Sequence, residues 1–169
     1  MSTSGEAALG TVNAVKCELA SEVLRSSGRL RLRVTGWSML PTVWPGDILM
    51  IDRTSGPEIS AGDIILFARD RRLCAHRVVR KSQMAGGLQI VTQGDGMSRP
   101  DPFFTESDLL GKVSLISRAG KCVVPTPRLG LPGRALAAMV RRSTSAARII
   151  VGMHELGLSP NASAPRCQS

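Results

Sequence analysis

The chain has 169 residues, enough for one domain with a real core plus flanking segments. Its net charge of +9 points at first to a polyanion as partner, but seven Lys and Arg against one acid from Lys121 onward leave residues 1–120 near balance, at +3. With three Phe, two Trp and no Tyr the stacking platforms that single-stranded nucleic acid needs are scarce, so no nucleic-acid partner is expected.

Cys17, Cys74, Cys122 and Cys167 form no C-x-x-C pair, which removes a zinc knuckle and a thioredoxin-like motif and implies free thiols in a reducing compartment. Neither a basic leader with an apolar stretch nor a window of about 18 uncharged apolar residues is present, so a cytoplasmic protein without a spanning helix is expected. No residue cluster calls for a metal or another cofactor.

Residues 5–27 place Leu9, Val12, Val15, Leu19, Val23 and Leu24 near helical spacing, and Ser26-Ser27-Gly28 ends the run. One amphipathic helix packing on the domain is expected, with too little chain before the first strand for a helix-turn-helix DNA reader. Short strands punctuated by turns follow at 30–35, 47–53, 63–68, 73–80, 87–93 and 111–124. Gly46-Asp47 and Gly62-Asp63 each open an apolar strand and look like equivalent corners of a folded sheet. The spacing describes a mainly β protein, a compact antiparallel β domain, rather than alternating β/α units.

Beyond Pro125 the stretch to Gly133 is rich in Pro and Gly, and 134–156 reads as a helix, with Leu136, Met139, Val140, Ile150 and Val151 toward one side and Arg134, Arg141 and Arg148 on another. Such a basic amphipathic helix either packs its apolar stripe on its own domain or lies on an anionic membrane surface or acidic partner. The expected organisation is therefore an N-terminal helix (1–28), a β domain (29–124), a linker and basic helix (125–158) and a disordered tail (159–169).

Ser38 lies in Gly36-Trp37-Ser38-Met39-Leu40-Pro41-Thr42, just past a strand end and before the turn Pro45-Gly46-Asp47. A Ser between Gly and Pro ordinarily caps a turn, and it becomes a nucleophile only where a base meets it. Of the two histidines, His154 reads as structural or surface, whereas His76 lies on the strand 73–80, on the face opposite Arg77. A third strand ends in Gly94-Asp95-Gly96, with Asp101 between Pro100 and Pro102. Serine, histidine and carboxylates from three strand ends can converge as nucleophile, base and orienting acid.

Taken in order, Ser38-Met39-Leu40-Pro41-Thr42 with Gly46-Asp47, Gly62 to Phe67, His76-Arg77-Val78-Val79, Thr92-Gln93-Gly94-Asp95 and Leu110 to Val113 resemble the motifs of the type I signal peptidase clan (S24/S26 type), which also holds the self-cleaving SOS-type repressors. The resemblance covers about Gly36 to Val113 and implies a serine endopeptidase on a coiled, mostly antiparallel β fold. Because a histidine, His76, stands where most bacterial members have lysine, the chain is similar to the endoplasmic reticulum, archaeal and sporulation branch. It implies Ser38 as nucleophile, His76 as general base, Asp101 as first choice for the histidine's partner, and Asp95 holding the loop or sharing the charge. The Ser38 N–H would be one oxyanion donor, while Gly36 has no hydroxyl to supply the second. An extended peptide or protein substrate would add along a strand edge near Gly36, Trp37, Met39, Leu40 and Pro41. A soluble, anchorless peptidase, docked on a membrane or partner through 134–156, is the reading adopted; a non-catalytic peptide-binding module and a self-cleaving regulator are its alternatives.

Overall fold

The computed structural model describes residues 3–128 and 130–142. In chain order it contains α1 (Thr3–Ser27), β1 (Arg29–Arg33), β2 (Ile48–Arg53), β3 (Ile64–Arg69), β4 (Arg72–Met84), β5 (Gly87–Gln93), β6 (Phe104–Thr105), β7 (Leu109–Arg118), β8 (Lys121–Val123) and α2 (Leu131–Arg142). Eight strands form one antiparallel sheet in the order β1-β2-β7-β3-β4-β5-β6, with β8 folded back on β7. The fold is thus mainly antiparallel β with an N-terminal helix, as the turn spacing implied. Among the described residues no helix is long and apolar enough to cross a membrane.

The alternation of β3 explains the core. Ile64 and Leu66 point to one face, joining Leu24, Met39, Leu49 and Val113, while Ile65 and Phe67 point to the other, joining Val78, Ile90 and Phe104. A strand buried on both faces reads as an unbroken apolar run, and Ile64 to Phe67 is one. β1 is different: Arg29, Arg31 and Arg33 face solvent and Leu30 and Leu32 pack inward, as an edge strand over a single core requires.

Three expectations need correction. The helix over 5–27 is present, but Val12, Val15 and Leu19 are 50%, 55% and 62% exposed, and the helix approaches the sheet through Cys17, Ala20 and Leu24 instead. Small side chains at 17 and 20 allow the closer approach, and the bulkier stripe is left outside. The single strand over 111–124 is two, β7 and β8, because Ala119 and Gly120 both take positive φ and turn the chain back. Cys17 and Cys74 are free thiols as expected, whereas Cys122 is disulfide-bonded. The C-terminal helix starts at Leu131, with Ala137 buried and Met139 exposed; the part expected beyond Arg142, and the tail 159–169, lie outside the described residues.

The two Gly-Asp corners are built alike. In each, glycine takes positive φ (91° at Gly46, 98° at Gly62), and the aspartate carboxylate accepts a backbone N–H three residues earlier, from Trp44 or Ser60, at 2.8 Å. The next strand over closes each corner with a pair of bonds, Val34 for the first and Val78 for the second. Each carboxylate then meets a cation of β7: Asp47 binds Arg118 at 2.7 Å and Asp63 binds Lys112 at 2.9 Å. β7 thereby fixes both flanking strands, and with them the loops that carry the site.

Candidate active site

Ser38 sits on a short loop after β1 that is pinned by its neighbours. Met39, Leu40 and Val43 are buried, the Leu40 N–H donates to Trp37 O, and the Trp44 indole N–H donates to Pro41 O at 2.8 Å. The Leu40 side chain is fully buried, so any part Leu40 takes with a segment adding along this edge is through its backbone. Gly36 and Trp37 remain at the surface, and a Cβ added at Gly36 would meet no atom within 4 Å.

On the far side, Gly96 N–H donates to Ser38 O at 2.8 Å, and a Cβ at Gly94 would stand 2.5 Å from that same oxygen. Crowding of this kind against a backbone atom admits only glycine at position 94, which gives the first glycine of the turn a physical reason. Among the described residues the Ser38 N–H itself has no acceptor, and it remains available to an incoming oxyanion.

β4 carries His76, and its imidazole joins the other two groups. Nε2 is 3.0 Å from Ser38 Oγ and Nδ1 is 2.7 Å from Asp101 Oδ2. The ring also lies edge-on to Phe67, with centroids 6.0 Å apart, so one flank is apolar. Asp101 is held by its own N–H, which donates to Thr92 O, and its Oδ2 accepts from Thr92 Oγ1 at 2.6 Å. Burial alone would push the Asp101 carboxyl up; the hydrogen bonds from His76 and Thr92, with the charges of His76 and Arg69, outweigh it and hold the group below the usual carboxylate range.

Asp95 stays away from the histidine. Its two oxygens take the Arg77 guanidinium at 2.9 and 2.8 Å, and Thr42 Oγ1 donates to it as well. Arg77 also donates to Gly62 O and Thr126 O, both at 2.7 Å. One planar cation thus ties together the second Gly-Asp corner, the Gly-Asp-Gly turn and the segment after β8. Arg77, Thr92 and Thr42 were not singled out from sequence. The signal for Arg77 was its place beside His76 in a strand, which sends the two side chains to opposite faces.

Ser38 opens on a cavity of about 550 Å³. The end of β1 (Leu32 to Gly36) forms one wall and Arg72, Leu73 and Ala75 of β4 form the other; Met39 and Leu66 are at its floor and Asn13 and Lys16 of α1 at its side. Both walls have free backbone edges. Among the described residues β1 pairs only with β2, and β5 joins β4 only from Arg77 onward, so Arg72 to His76 pair there on the β3 side alone. Two unpaired strand edges around a serine suit a third, extended segment between them.

The sequence model of the Peptidase S24-like family matches residues 4–110, well over half of the chain and a span that holds Ser38, His76, Asp95 and Asp101. No curated protein matches the chain.

Proposed function

The chain belongs to the Peptidase S24-like family, and on that premise we propose that it is a signal-peptidase-like serine endopeptidase using Ser38, His76 and Asp101 on an extended peptide segment. Ser38 Oγ attacks the scissile carbonyl as its proton passes to His76 Nε2, and the C–N bond then breaks as His76 returns the proton to the leaving amine. Water, deprotonated by the same nitrogen, then attacks the acyl carbonyl, and the ester bond to Ser38 Oγ breaks as His76 returns the proton to Oγ. Asp101 fixes the tautomer through Nδ1 and stabilises the imidazolium. The Ser38 N–H donates to the tetrahedral oxyanion, and Asp95 acts on the loop through Arg77 and Thr42 rather than on the histidine.

The observation that carries this reading is the unbroken contact from Ser38 Oγ through both ring nitrogens to Asp101 Oδ2, at 3.0 and 2.7 Å. A structural serine has no use for an imidazole already oriented by a half-buried carboxylate. The test is a fluorophosphonate acylating probe on wild type and Ser38→Ala, read by intact mass. A single adduct on the wild type that is absent from the variant is expected; a folded wild type that takes none at any pH from acid to alkaline overturns the assignment.

A further inference from the structure

The rim of the Ser38 cavity carries three cations from three different elements: Lys16 of α1, Arg33 of β1 and Arg72 of β4. All three are exposed, none makes an ion pair among the described residues, and no Asp or Glu lines the cavity with them. Below the rim the walls are aliphatic, including Leu32, Val34, Met39, Leu66 and Leu73. By contrast, Arg29 of the same β1 strand meets Asp52, and Lys112 of β7 meets Asp63. The cavity mouth thus brings three unpaired cations from three elements together with no acid among its lining residues.

We propose, resting on the peptidase reading above, that the segment taken by this cavity is aliphatic with carboxylates flanking it, and that Lys16, Arg33 and Arg72 determine this specificity. Arg72 stands four residues before His76 on the same strand, about 13 Å away at the rise of an extended chain. A segment paired along that free edge with its reacting carbonyl at Ser38 brings the residue about four positions from the scissile bond beside Arg72. Arg33, five residues before Ser38, serves the opposite wall at similar depth. Rim charges of one sign raise the local concentration of a complementary segment and repel one of like charge, an effect that salt weakens.

The test uses labelled peptides that share one Leu, Val and Ala stretch and differ only in Glu, Gln or Lys about four positions from the cleaved bond. Binding to the full chain is read by fluorescence anisotropy and cleavage by mass spectrometry. At low salt the Glu peptide is expected to bind roughly 5- to 20-fold tighter than the Gln peptide, with the Lys peptide weakest and the spread shrinking as salt rises. Arg33→Gln with Arg72→Gln should collapse the Glu-to-Gln ratio, and the charge reversals Arg33→Glu with Arg72→Glu should invert the order. The ratio within each variant is independent of any general loss of affinity, and a thermal melt confirms folding. Equal binding of the three peptides, no binding of any, or a preference untouched by the variants overturns the proposal. Binding in the expected order without cleavage leaves the specificity standing and counts against the peptidase reading alone.

Discussion

Gly94 and Ser38 come from different parts of the chain, yet the Ser38 carbonyl oxygen lies 2.5 Å from where a Gly94 Cβ would stand. The atom in the way is backbone, held by Gly96 N–H at 2.8 Å, so it cannot swing aside as a side chain would. Gly94→Ala should therefore push the nucleophile loop away from His76. Overpacking of this kind costs about 1–3 kcal/mol, which lowers the melting temperature by roughly 2–4 °C per kcal/mol in a chain of this size. Acylation of Ser38 should fall by more than the stability loss explains. A variant that melts lower but acylates at the wild-type rate would show that the turn supports the fold and not the site.

Removal of Ser38 or His76 by alanine should reduce cleavage to the level left by binding and the oxyanion donor, a loss on the order of 10⁴-fold or more, while circular dichroism and melting stay near wild type. The pairwise variant should lose no more than either single one, because the two groups act as a unit. Kinetics of wild type against pH add a second check. An imidazole base gives a rate limb within about pH 5–8, whereas an amine base would place it well above that range.

Where the sequence was legible, local chemistry and tertiary demand agreed. Gly46-Asp47 and Gly62-Asp63 were readable as equivalent corners because a positive-φ glycine followed by a carboxylate has few other uses, and both corners have that build. The meeting of Ser38, His76 and Asp101 was anticipated from strand ends and motif order. The exposed face of α1 was not, because Val12, Val15 and Leu19 and the inward set Cys17, Ala20 and Leu24 are both at helical spacing, and only the closeness of approach decides between them. Arg77 was missed for a related reason: an arginine in a strand reads as solvent-facing until the turn bearing Asp95 is seen to cover it.

Asp95 and Asp101 should fail in opposite ways. Asp95 is 5% exposed and its partner Arg77 is 12% exposed, so Asp95→Asn leaves a mostly buried guanidinium without its counter-charge. Breaking such a pair on one side costs about 3–5 kcal/mol, and the effect should show chiefly as a lower denaturation midpoint. Asp101→Asn removes the acceptor that fixes the histidine tautomer and should cost about 10²–10⁴-fold in turnover, with a smaller loss of stability than Asp95→Asn. Paired denaturant titrations and turnover measurements decide the matter. If Asp95→Asn proves the more damaging to turnover at equal foldedness, the two roles are exchanged.

Acid pH offers an independent view of the same carboxylate. In the folded protein the Asp101 carboxyl is held below its ordinary value by His76 and Thr92 despite partial burial, whereas in the unfolded chain it titrates near ~3.9. Between those two values the unfolded chain binds more protons, so stability must rise with pH there. The contribution of Asp101 is therefore complete above its unfolded value and is lost as pH falls through the folded one. The other carboxylates are common to both proteins. At acid pH the difference in melting temperature between wild type and Asp101→Asn therefore reports on this carboxyl. That difference should move against the wild type as pH falls below about 4. A difference that stays flat to pH 2 would mean that His76 and Thr92 do not hold Asp101 ionised, and the orienting role assigned to it would have to pass to another acceptor.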